Sequence, residues 1–262
     1  MVDATGLAKN DIIKIGKHIS PVVSVVGDTV TILIPCPSAP AAGVSVKRSL
    51  AQYKLDKTQN KTCSATRIFE GDNVEERALA LRTASLAIEN FAVGQIPTLA
   101  VNMTGINYTD LLNPSSFVPD YTGAEPSYVH NACMFKNANE IDVSEIGLSL
   151  EQTISQIKTT CAENGSIGSR PTGKYNISVT FNPYKDQGDL GFTLNDEAYS
   201  LFWSFANPGA TDEDSINDIA FFLPRCKSTV VSLADVDGLH TDAVTAQSVP
   251  ESEADSIVIA FF

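Results

Sequence analysis

The chain has 262 residues, 43% of them hydrophobic, with a net charge of −13 and an isoelectric point near 4.6. That apolar fraction can fill a sizeable core without disulfide or metal staples, while the acidic balance disfavours broad binding to nucleic acid, which leans on Lys and Arg. Only 19% of residues are charged, and a surface short of Lys and Glu has less charge to strip away when a partner covers it.

Along the chain, Met1-Val2-Asp3-Ala4-Thr5-Gly6 has neither the basic nor the apolar region of a signal peptide. No apolar run reaches the roughly 20 residues of a membrane helix. Synthesis in the cytoplasm and no membrane partner are the expectations. Residues 22–34 hold two β-rich runs around Gly27-Asp28, a type II′ hairpin signal. Pro35, Pro37 and Pro40 end the second run, and 43–55 and 62–69 read as further strands. After Gly71-Asp72-Asn73, the spacing of Leu81, Ala84, Ile88 and Phe91 predicts a helix with Glu75 and Glu76 in its first turn. Residues 96–130 read as a long Pro-rich connection with short strands. Ser149 with Gln152 predicts a capped second helix carrying Leu150, Ile154, Ile157 and Cys161. Residues 174–181 alternate as a half-buried strand. Thr193 with Asp196 opens a third helix with Ala198, Leu201, Phe202 and Phe205. Thr211 with Asp214 opens a fourth with Ile216, Ile219, Ala220 and Leu223. Residues 228–234 and 256–262 read as strands. The expected class is α+β: mainly antiparallel strands with about four amphipathic helices. Residues 1–262 are expected to form a single compact unit, with 96–130 the place for any internal boundary.

Few constellations carry chemistry. Gly168-Ser-Arg-Pro-Thr-Gly173-Lys174 nearly matches a phosphate-binding loop, but Tyr175 stands where Ser or Thr must hold magnesium, and a strand follows instead of a helix. Cys36, Cys63, Cys133, Cys161 and Cys226 are scattered without a Cys-x-x-Cys pair, which suits free thiols. His130 and Cys133 lie close enough in sequence to imagine a Cys–His nucleophile, with no orienting group nearby. Asp235, Asp237 and Asp242, with His240, are the candidates for a metal, although they lack calcium-loop spacing. The run Val230–Leu239, a hydrophobic strand entering Asp235-Val-Asp237-Gly238, resembles the first motif of the haloacid-dehalogenase-like phosphatases and the Asp-x-Asp of metal-dependent glycosyltransferases. The resemblance implies Asp235 as nucleophile and Asp237 as general acid. Leu239-His240 stands where the phosphatase motif continues with Thr, and the downstream motifs have little room. No cofactor is expected.

The end of the chain is the most informative segment. Ser256-Ile257-Val258-Ile259-Ala260-Phe261-Phe262 is apolar and β-prone, and must be covered by its own sheet or by a neighbour. Three functions follow as expectations. The first is a non-enzymatic, self-assembling structural subunit, such as a virus or phage coat, capsid or tube protein residing in the virion. It would contact copies of itself through Ile257, Val258, Ile259, Phe261 and Phe262. The second is a protein-binding or adhesion module using Tyr108, Phe117, Tyr121 and Tyr128 of the 96–130 segment. The third is a metal-dependent phosphoryl- or glycosyl-transfer enzyme using Asp235 and Asp237.

Overall fold

The computed structural model describes residues 6–40, 44–54, 62–69, 74–89, 92, 95–105, 107–112, 133–161, 166–184, 192, 197–205, 218–236, 238–252 and 255–262. Its elements are all strands. In chain order they are β1 (Ile12–Ile15), β2 (His18–Val26), β3 (Thr29–Ile32), β4 (Val46–Arg48), β5 (Ala51–Lys54) and β6 (Cys63–Phe69). Next come β7 (Val74–Glu89), β8 (Thr98–Thr104), β9 (Asn107–Leu112), β10 (Cys133–Lys136), β11 (Asn139–Ile141) and β12 (Val143–Lys158). The last are β13 (Ser166–Pro183), β14 (Tyr199–Phe205), β15 (Ile219–Val236), β16 (Leu239–Ser248) and β17 (Val258–Phe261).

The expected α+β class is therefore wrong, and the chain is all-β over the described residues. Each of the four helices fails for an identifiable reason. The first lies in β7, where an extra residue at Ala84 makes a bulge against β8. A bulge reverses the side-to-side alternation and produces the odd apolar spacings that a helix also shows. The second lies in β12. Leu150 and Ile154 are four apart, which places them on one face in a helix and equally in a strand. The alternation Ile146, Leu148, Leu150, Gln152 is buried at every second residue and decides for the strand. The third and fourth meet β14 and β15, which are covered on both faces. Leu201, Trp203, Phe205, Phe221 and Leu223 face one core, while Phe202, Ala220 and Phe222 face another. Strands buried on both sides lose their alternation and read as continuous apolar runs. The proposed caps Thr193, Asp196, Thr211 and Asp214 lie outside the described residues.

The strand expectations at 22–34 and 174–181 hold, in β2–β3 and in β13. Gly27 has a φ of 58°, and Val26 pairs directly with Thr29. A two-residue hairpin turn needs that left-handed start, which glycine takes at no steric cost.

The large sheet runs β11-β10-β14-β15-β16-β13-β12-β7-β6 and folds into two facing layers. The first half of β15 pairs with β14 on one edge and with β17 on the other. Its second half, from Cys226 onward, pairs with β16 across a bulge between Ser228 and Val230. The chain crosses between layers again at Asp142, the single residue between β11 and β12. There the Tyr184 amide donates to the Asp142 carbonyl at 3.1 Å. Phe192 clasps the layers together, meeting Phe181 of β13 at 5.2 Å and Tyr199 of β14 at 5.8 Å between ring centroids. The Lys136 ammonium lies 4.2 Å above the Phe192 ring. Strands that switch layers at bends make the corners of such a sandwich.

A smaller sheet, β3-β2-β1-β4, covers the outer face of β14, β15 and β17. Ile12, Ile19 and Ile34 pack there on Phe222, Val258 and Phe262. Lys14 of β1 and Asp218 form an ion pair at 2.7 Å with side-chain exposures of 3% and 2%. Charges that deep persist only when paired.

Candidate functional site

The inner core layer of the sandwich does not end where its burial ends. Two rows of directly paired side chains cross the second layer. One runs Val179, Leu148, Ile88, Leu99; the other runs Ile177, Leu150, Leu86, Val101. The first two members of each row are buried, Leu86 and Ile88 are half-buried against the same core, and Leu99 and Val101 are 59% and 38% exposed. Met103, on the same side of β8, is 45% exposed. Among the described strands, β8 pairs only with β7. Among the described strands, β8 thus ends this part of the sheet, carrying exposed apolar residues on the core side. Cross-strand apolar neighbours stabilise a sheet, and an open edge offers the backbone groups on which another strand can add.

The C-terminal residues expected at an interface are placed in the protein's own sheet. β17 pairs with β15 along one edge and with β5 along the other. Ile257, Val258 and Phe262 are buried in the two cores, and Ile259 packs half-buried. Phe261 alone remains substantially exposed, at 37%. Its ring meets Tyr53 of β5 edge-on at 5.8 Å. Of the aromatics expected in the 96–130 segment, Tyr108 lies on β9, where its backbone pairs with Ala78. Phe117, Tyr121 and Tyr128 lie outside the described residues.

The Asp-x-Asp motif is the tip of the β15–β16 hairpin. Val236 pairs with Leu239, Gly238 has a φ of 82°, and the Asp235 carboxylate accepts the Gly238 amide at 2.9 Å. Asp235 therefore caps a turn from an exposed position, and a strand that pairs back on β15 follows it. Asp237 lies outside the described residues, and Asp242 sits opposite Leu233 on the hairpin. Among the described residues, no three His, Cys, Asp or Glu side chains are grouped to hold a metal. The Gly168–Lys174 run is strand in β13, with Gly173 at a φ of 93° where the pairing to β12 shifts register. Burial raises the Cys133 thiol to about 11, helped by a hydrogen bond and the negative charge of Glu140. Such a thiol is protonated at neutral pH and a poor nucleophile. His130 lies outside the described residues.

Two concavities adjoin the small sheet. One, of about 220 Å³, includes Asn10, Arg225, Glu251 and Asp255 in its lining. Its polar groups satisfy each other: Asn10 donates to Asp255 at 2.7 Å, and Arg225 pairs with Glu251 at 2.9 Å. The other, of about 370 Å³, includes His18 and Cys36. The His18 Nε2 donates to the Ile34 carbonyl at 2.8 Å. Neither gathers a nucleophile, a base and an oxyanion donor.

The β8 residues were readable and missed. Leu99, Val101 and Met103 alternate with Ala100 and Asn102, which is the period of a strand with one apolar face. The short strands expected in 96–130 are present as β8 and β9, but the expectation did not single out the apolar face of β8. No helix among the described residues is long and apolar enough to cross a membrane. Compared with protein families and with curated proteins, the sequence matches none.

Proposed function

We propose that this protein is a non-enzymatic structural subunit that assembles with copies of itself by adding a strand beside the exposed apolar residues of β8. It belongs to the coat, tube or shell kind of component. The observation that carries the reading is the pair of apolar rows ending in solvent at Leu99 and Val101. An added strand extends both rows and shields side chains whose full burial is worth about 1.5–3 kcal/mol each. Soluble proteins ordinarily blunt such edges with charge or proline, and Thr98–Thr104 carries neither. The low charged fraction favours the same reading, since less charge is stripped away on contact.

Light scattering on the purified chain at rising concentration, with electron microscopy of the product, tests this. Growth into regular rings, tubes or shells is expected, and Val101→Glu should hold the protein monomeric with an unchanged far-UV circular dichroism spectrum. A wild-type chain that stays monomeric at high concentration, across salt and pH, refutes the proposal.

A further inference from the structure

Two sulfur atoms from separate strands meet beside β7. Cys63 of β6 pairs with Leu81, and Met103 of β8 pairs with Thr83. Leu81 and Thr83 are two apart on β7, so their cross-strand partners project from one face of the sheet. Each pairing adjoins a register shift, between Cys63 and Ala65 in one case and between Thr83 and Ser85 in the other. Bulges re-aim the side chains beside them, and here the Cys63 Sγ comes within 3.8 Å of the Met103 Sδ. Cys63 is in no disulfide and is exposed, and Met103 is 45% exposed. The Cys63 thiol donates both to the Leu81 carbonyl, at 3.8 Å, and to the Met103 sulfur. Its proton therefore lies where a cation replacing it would meet the second sulfur.

We propose that Cys63 and Met103 form a two-sulfur site for a soft monovalent cation, with Cu(I) the ion it fits. Thiolate and thioether are soft donors that select Cu(I), whereas Mg²⁺ and Ca²⁺ take oxygen ligands. Cu(I) accepts a pair of sulfur donors on opposite sides of it. On binding, the thiol proton passes to solvent, and the Cys63 thiolate and the Met103 thioether each donate a lone pair. No atom changes oxidation state. The thiolate and the monovalent cation cancel in charge, so the filled site is neutral beside Leu81, which is buried. A divalent ion on the same two donors would leave a positive charge against that apolar side chain. Met103 is unbranched with three rotatable bonds, so a small rotation opens the sulfur pair around the ion. Binding there needs no second copy of the chain.

Cu(I) kept reduced with ascorbate, titrated into the full chain against a chromogenic Cu(I) chelator, tests the site. The wild type should take up Cu(I) with a thiolate-to-metal absorption in the near ultraviolet. Cys63→Ser should abolish that uptake, Met103→Leu should weaken it by about tenfold or more, and Cys161→Ser, at another exposed thiol, should leave it unchanged. Circular dichroism checks that each variant folds, and Cys63→Ala replaces Cys63→Ser if that one does not. Met103→Leu binding as tightly as wild type overturns the two-sulfur site and leaves a single thiol. Uptake that survives in the Cys63 variant places the ion at another cysteine and overturns it as well. A wild type that yields all Cu(I) to the chelator does the same.

Discussion

Asp11 accepts hydrogen bonds from the Ala8 amide at 2.8 Å, the Gln52 side-chain amide at 2.9 Å and the Lys54 ammonium at 2.8 Å. Burial pushes its carboxyl up, but the three donors and the Lys54 charge outweigh that and hold it below the ordinary value. A carboxyl depressed in the folded state contributes stability above its unfolded value, and that contribution is lost as pH falls through the folded value. The urea midpoint should therefore drop on acidification below about pH 4. In Asp11→Asn that component should be absent, at a cost of about 1 kcal/mol at neutral pH. Lys14 and Asp218 respond differently because both are buried. Lys14→Met alone takes the paired cation from a buried carboxylate and should cost about 3–5 kcal/mol, whereas Lys14→Met with Asp218→Leu should unfold closer to the wild-type urea concentration. Neither pair was legible in the sequence. Lys14 and Asp218 are far apart in the chain, and each reads locally as an ordinary surface charge.

At the scale of elements, the sequence disclosed the strands whose faces differ and hid those whose faces match. Tyr175, Ile177, Val179 and Phe181 alternate because β13 has one core side, and the Gly27-Asp28 turn announces its hairpin through backbone geometry alone. Leu201, Phe202 and Trp203 carry no alternation, since β14 is buried on both sides, and that burial is a property of the assembled layers. Ala84 shows a third case, a bulge that imitates helical spacing. The candidate site followed the same divide. The apolar C-terminus was legible as a strand needing cover, but the choice between its own sheet and a neighbour depended on β5 and β15. Deleting Ile257–Phe262 removes buried members of both cores. It should abolish the cooperative thermal transition of the chain, read by circular dichroism, which is a larger effect than loss of assembly.

For the molecule as a whole, β17 ties an early part of the chain to a late one, pairing with β5 along one edge and β15 along the other. The location of β17 adds a constraint of timing. Its partner β5 is made early, but β17 follows about 200 residues later, which at about 5–20 residues per second of synthesis is about 10 to 40 seconds. Until then Tyr53 lacks Ile259, its partner across the strand pair. The sheet edge that holds β5 thus closes only after nearly all of the residues between the two strands have been made.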